Sequence, residues 1–260
     1  MTLEDAGLKA NSIAERISRG KISKFSVWTM LFIRLVLFAV FQAMIALIYA
    51  VSGHASAWDA SAAWWQITAA LASLSSLAAL QYFLQREGSS LKALYRIERE
   101  FWKRDVLTVL GLTVLALVIA MLPNPLLSTW LFGSPEGAVP LLFRPLPAWA
   151  VWLSVVVFPI SIALSELPIY MGYALPRIEA FTGSAWKGVA VAGFFLAVQH
   201  ITLPLLFDGR FILYRFAMYL PLALFMAIIL RWKPRLLTYM MIIHGLMDLS
   251  AALFGLSMNL

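Results

Sequence analysis

Apolar stretches at approximately 26–51, 60–84, 105–123, 146–173, 188–205, 211–230 and 237–257 alternate with short polar segments along this chain. Each reaches about the 20 residues that a helix needs to cross a hydrocarbon core. In lipid a spanning segment must satisfy its own backbone hydrogen bonds, as a helix does. The pattern predicts an all-α fold, a polytopic transmembrane helical bundle of about seven spans. Ahead of the first span, residues 3–24 place Leu3, Leu8, Ile13, Ile17 and Ile22 among lysines and arginines at roughly helical spacing. That suits either an amphipathic helix on the inner leaflet or a basic tail. Between the third and fourth spans, residues 124–145 carry Pro125, Gly133, Pro135, Gly137, Pro140 and Pro145, the composition of a turn-rich cap. No internal repeat or soluble domain is visible, and residues 1–25 lack the apolar core of a cleavable signal peptide.

Composition strengthens the membrane reading. Hydrophobic residues make up 62% of the 260 and charged residues 13%, against roughly 25% charged in soluble domains. With the N-terminus inside, segments 1–25, 85–104, 174–187 and 231–236 face the cytoplasm and hold sixteen of the 20 Lys and Arg residues. That asymmetry predicts N-in topology, and seven spans then put the C-terminus outside. Trp28, Trp58, Trp64, Trp65, Trp149, Trp186 and Trp232 fall near the expected interfaces, where amphipathic rings are favoured. The net charge of +7 thus reports topology and contact with the lipid bilayer, and nucleic acid is not an expected partner. With no cysteine, disulfides, thiolate metal sites and a cysteine nucleophile are excluded.

Six charged or histidine side chains lie within the spans: Arg34, Glu166, His200, Arg215, His244 and Asp248. Arg34 and Arg215 sit near span ends and are expected to snorkel to the interfaces as anchors. His54 falls in an outer loop, where solvation accounts for it. Glu166, His200, His244 and Asp248 are deeper, and an ionisable group at such depth costs roughly 3 kcal/mol or more, which marks a functional site. His244 and Asp248, four apart, share one helix face. Pro168 removes the hydrogen bond to the Leu164 carbonyl and should kink or widen the helix that carries Glu166. The four are expected to line a cavity open to the cytosol. Residues 1–25 then form a basic N-terminal segment, 26–145 the N-terminal spans, and 146–260 the chemistry-bearing core.

The second half resembles the CAAX-protease and bacteriocin-processing (CPBP, or Abi) family of intramembrane proteases. That family's pattern is E-E-x-x-x-R, F-x-x-x-H and H-x-x-x-N/D on three separate helices. Here the first motif reads Glu166-Leu167-Pro168-Ile169-Tyr170-Met171, followed by Gly172-Tyr173. The second reads Leu196-Ala197-Val198-Gln199-His200, and the third, His244-Gly245-Leu246-Met247-Asp248, matches throughout. Leu167 and Met171 replace the second glutamate and the arginine together, a joint loss of a buried ion pair that can be neutral. A register shifted by one would place Ser165 in the catalytic slot and Tyr170 at the arginine, and it misplaces Gly172-Tyr173.

The resemblance implies an intramembrane endopeptidase in a bacterial cytoplasmic membrane, acting on a membrane-associated protein or peptide. Glu166 is then the base that activates water, with His200, His244 and Asp248 completing the catalytic pocket. No cofactor is expected. The alternative with zinc would use His200, His244, Glu166 and Asp248 as ligands. Two further classes fit the same residues: a non-catalytic relative serving in immunity or scaffolding, and a proton-coupled transporter.

Overall fold

The structure, a computed structural model, describes residues 13–259. The first part of the expected N-terminal amphipathic segment, residues 3–12, lies outside the described residues. Residues 13–18 are helical. The main helices are α1 (Lys24–Val51), α2 (Trp65–Arg86), α3 (Trp102–Met121), α4 (Pro123–Phe132) and α5 (Ala148–Leu167). They are followed by α6 (Leu175–Thr182), α7 (Ala185–Val198), α8 (Gly209–Trp232) and α9 (Leu237–Ser257). Among the described residues six helical segments are long and apolar enough to cross a membrane: Lys24–Val51, Trp65–Arg86, Trp102–Phe132, Ala148–Thr182, Gly209–Trp232 and Pro234–Ser257. The chain is an integral membrane protein with an all-α fold.

Three boundaries differ from the sequence expectation, each for a local reason. The stretch read as 188–205 is a shorter apolar helix, Ala185–Ile201, whose last turn, Gln199–Ile201, is 3₁₀. The irregular segment beyond it holds Pro204, whose missing N–H cannot extend the helix. The fourth span does not fade near 173. A π-helical turn over Pro168–Ala174 joins α5 to α6 and carries the helix on to Thr182, where Gly183 closes it at φ +64°. After α3 a single turn residue, Leu122, keeps helical angles (φ −67°, ψ −43°) and leads directly into α4, with Pro123 in its first turn. The cap expected at 124–145 is thus α4 and a short turn, Val139–Leu142, packed by Ala138 and Leu142 onto Phe211 and Tyr214.

Helix α5 lies between α2 and α9, α1 packs on α2, and α7 pairs with α8, which also carries α4. Ion pairs Arg177–Glu87, Arg235–Asp105 and Arg231–Glu179 tie the end of α2, the start of α3, α6, the end of α8 and the start of α9 together at one end of the bundle. At the other end Gln42 and Trp58 both donate to the Leu205 carbonyl, and the Leu146 N–H donates to Asn259. The segments richest in Lys and Arg therefore share one end. Outward faces of α1 and α3 expose Val36, Val40, Leu47, Leu107, Leu110 and Val114. In a bilayer such surface meets lipid tails and costs nothing to leave uncovered.

Candidate active site

The site forms where α5 and α9 approach closely enough for their side chains to meet. A Cβ added at Gly245 would lie 2.9 Å from that of Ala163, so glycine is what lets the two helices pack there. This brings His244 opposite Glu166. His244 Nε2 lies 2.9 Å from Glu166 Oε1 and 3.6 Å from Asp248 Oδ2. Because Pro168 has no N–H to offer, the Leu164 carbonyl needs another donor. Tyr95 supplies it: its hydroxyl donates to that oxygen at 2.6 Å. Widening at Pro168 was expected, and the π-helical turn that begins there is its form.

Arg34 is the residue the sequence reading misplaced. It does not snorkel. It is 0% exposed, and its Nη2 lies 3.2 Å from Glu166 Oε2. Its other donors reach Gln199 Oε1 from Nε at 2.7 Å, and Ser165 Oγ and Ser73 Oγ from Nη1 at 2.8 and 3.0 Å. A buried carboxylate needs a counter-charge, and α1 supplies it from the half of the chain expected to hold no chemistry. One signal was present: Arg34, Phe38, Gln42 and Ala46 are four apart and all buried. That stripe marks the face of α1 turned to protein.

Arg215 departs from the anchoring expectation in the same way. Buried at the start of α8, it donates from Nε to the His200 carbonyl at 3.2 Å and from Nη2 to the Leu203 carbonyl at 2.5 Å. It holds the 3₁₀ turn that ends α7, and with it His200. The His200 ring stacks on Tyr219, centroids 3.6 Å apart and planes at 12°. His200 Nδ1 lies 2.9 Å from the Leu196 carbonyl. A carbonyl only accepts, so Nδ1 carries the proton of that contact.

The sequence-derived residues thus divide. Glu166, His244 and Asp248 are gathered into one cluster, while His200 makes no hydrogen bond to the other three among the described residues. The cluster is closed where an inward-facing cavity was expected. Glu166 is 2% exposed, and its neighbours His244 and Asp248 keep 14% and 19% of their side chains accessible. Leu167 and Met171 are buried among apolar neighbours. Three polar atoms at the site have no hydrogen-bond partner among the described residues: Gln199 Nε2, His244 Nδ1 and Asp248 Oδ2. Among the described residues no group of three or more His, Asp and Glu side chains is placed to hold a metal ion.

Chemically, each Glu166 oxygen accepts one hydrogen bond and keeps lone-pair capacity for another. The arrangement is a charged, oriented carboxylate within reach of an imidazole, shielded from bulk water. Compared with protein families, with curated proteins and with solved structures, the chain matches none.

Proposed function

We propose that the chain is an intramembrane endopeptidase that hydrolyses a peptide bond of a membrane-associated protein or peptide, with Glu166 as the base. The observation that carries this reading is the contact of Glu166 Oε1 with His244 Nε2 at 2.9 Å, a carboxylate and an imidazole from separate spans. Its resemblance to the CPBP family supports it: the three motifs sit on α5, on the turn ending α7 and on α9.

In the proposed step Glu166 takes a proton from water as the water oxygen adds to the scissile carbonyl carbon. The tetrahedral intermediate then collapses. Its C–N bond breaks and the proton held by Glu166 passes to the leaving nitrogen, giving a carboxylic acid and an amine. General-base assistance of this kind is worth about 10²–10⁴-fold. His244 orients the carboxylate, and the Arg34 guanidinium keeps it charged without bulk water.

The test uses the purified chain in liposomes with a pool of lipid-anchored peptides, each carrying a fluorophore and a quencher, in heavy-oxygen water. Wild type should cleave, placing one heavy oxygen in each new carboxyl group. Glu166→Gln, which keeps the shape but cannot hold the proton, should lose about 10²–10⁴-fold per folded molecule. Cleavage should also survive prolonged chelation. Full activity of the variant removes Glu166 as base, and loss on chelation that zinc restores moves the chemistry to a metal.

A second reading has its own observation. Both Glu166 oxygens are already held, and the group is 2% exposed. That closure suits a non-catalytic relative in which the pair only joins α1, α5 and α9. No cleavage by wild type, together with a cellular phenotype that survives Glu166→Gln, would favour it.

A further inference from the structure

Resting on that hydrolytic reading, we propose that Gln199 is a catalytic residue whose side-chain amide donates to the scissile carbonyl oxygen as it becomes an oxyanion. Gln199 is fully buried, and its Oε1 accepts from Arg34 Nε at 2.7 Å and from the Tyr170 hydroxyl at 3.2 Å. A guanidinium has no acceptor, so the amide oxygen must face it and the amide cannot be turned over. The NH₂ group therefore points away from Arg34, and among the described residues it meets no acceptor. A buried donor left unpaired is unfavourable in the resting protein and is repaid only when something arrives to accept from it.

Its place fits that role. Arg34 holds Gln199 through Nε and Glu166 through Nη2. These two donors lie side by side on one edge of the guanidinium fork, so the amide and the carboxylate are neighbours. Three other donors at the site are committed. His200 Nδ1 faces the Leu196 carbonyl, His244 Nε2 faces Glu166, and the remaining Arg34 nitrogen faces Ser73 and Ser165. Asp248, last in the third motif, is a carboxylate and when ionised can only accept. Donors aimed at a developing oxyanion are a large catalytic term, and Gln199 Nε2 is unpaired and, as an amide nitrogen, can only donate. Arg34 and Tyr170 are positioning residues that aim it.

The experiment compares Gln199→Glu and Gln199→Leu with wild type and Glu166→Gln in the liposome assay, with thermal unfolding of each recorded. Gln199→Glu keeps an acceptor for Arg34 and Tyr170 and removes the donor, while adding a carboxylate beside Arg34 whose effect on folding the unfolding measurement reads. Both Gln199 variants should lose about 10²–10³-fold in kcat with KM little changed. If Gln199→Glu stays active while Gln199→Leu does not, the residue only supports Arg34 and the proposal fails. If both stay active while Glu166→Gln is dead, the base stands and the donor falls. An active Glu166→Gln removes the base itself, whatever Gln199 does. Should Gln199→Leu not fold, Gln199→Glu decides alone.

Discussion

Among the described residues two buried arginine–glutamate pairs lie in this bundle, and they differ in what surrounds them. Arg177 and Glu87 join α6 to the end of α2. Tyr173 donates to Glu87 Oε1 at 2.6 Å, Arg177 Nε reaches the same oxygen at 3.3 Å, and Arg177 Nη1 donates to the Tyr173 carbonyl at 2.8 Å. The guanidinium also lies 3.7 Å from the centre of the Tyr173 ring. No polar side-chain atom of that trio lacks a partner. Arg34 and Glu166 are as deeply buried, yet around them Gln199, His244 and Asp248 each keep a polar atom unpaired. The Arg177 network satisfies itself and fastens two helices, whereas the network at Glu166 joins unpaired groups to a carboxylate and an imidazole that could act on something brought to them.

Breaking each pair should separate the two roles. The largest effect is expected from Arg34→Met, which strands Glu166 as an unpaired buried charge. Folding stability should fall by about 3–5 kcal/mol, and activity per folded molecule should fall as well. Unfolding in detergent and the liposome assay read the two effects separately. Arg177→Met strands Glu87 and should cost about as much stability, but the protein that remains folded should cleave at the wild-type rate. Slower cleavage per folded molecule would mean the fastening also shapes the site.

The smallest effect belongs to Asp248→Asn. With Gln199 as the oxyanion donor, the new amide adds a second donor beside an existing one, and activity should stay within about tenfold of wild type. A fall well beyond that would show that the negative charge of Asp248 is needed, most directly to hold His244.

Much of this contrast was legible in the sequence. The seventh span was expected at 237–257, and α9 runs Leu237–Ser257. Apolar periodicity and flanking charge are local properties, and they locate such helices. Glu166, His244 and Asp248 could be picked out because an acid or imidazole in an apolar stretch is costly unless partnered. Arg34 was not legible, because a long basic side chain near a span end has two outcomes, snorkelling to water or pairing inside. Its partner, Glu166, lies 132 residues away in sequence and decides which. The unpaired amide of Gln199 was hidden for the same reason, since its significance depends on which of its atoms Arg34 occupies. The closure of the site is also a tertiary property, set by how tightly α5 and α9 meet at Gly245.

The most direct test of the account removes each pair whole. Replacing both charges by apolar residues of similar volume strands nothing and can leave stability nearly unchanged. Arg34→Met with Glu166→Leu, and Arg177→Met with Glu87→Leu, should then both give folded protein for the liposome assay. The account predicts that the first double variant loses about 10²–10⁴-fold in cleavage, while the second cleaves like wild type. Retained cleavage by the first, or an equal loss in both, would contradict it.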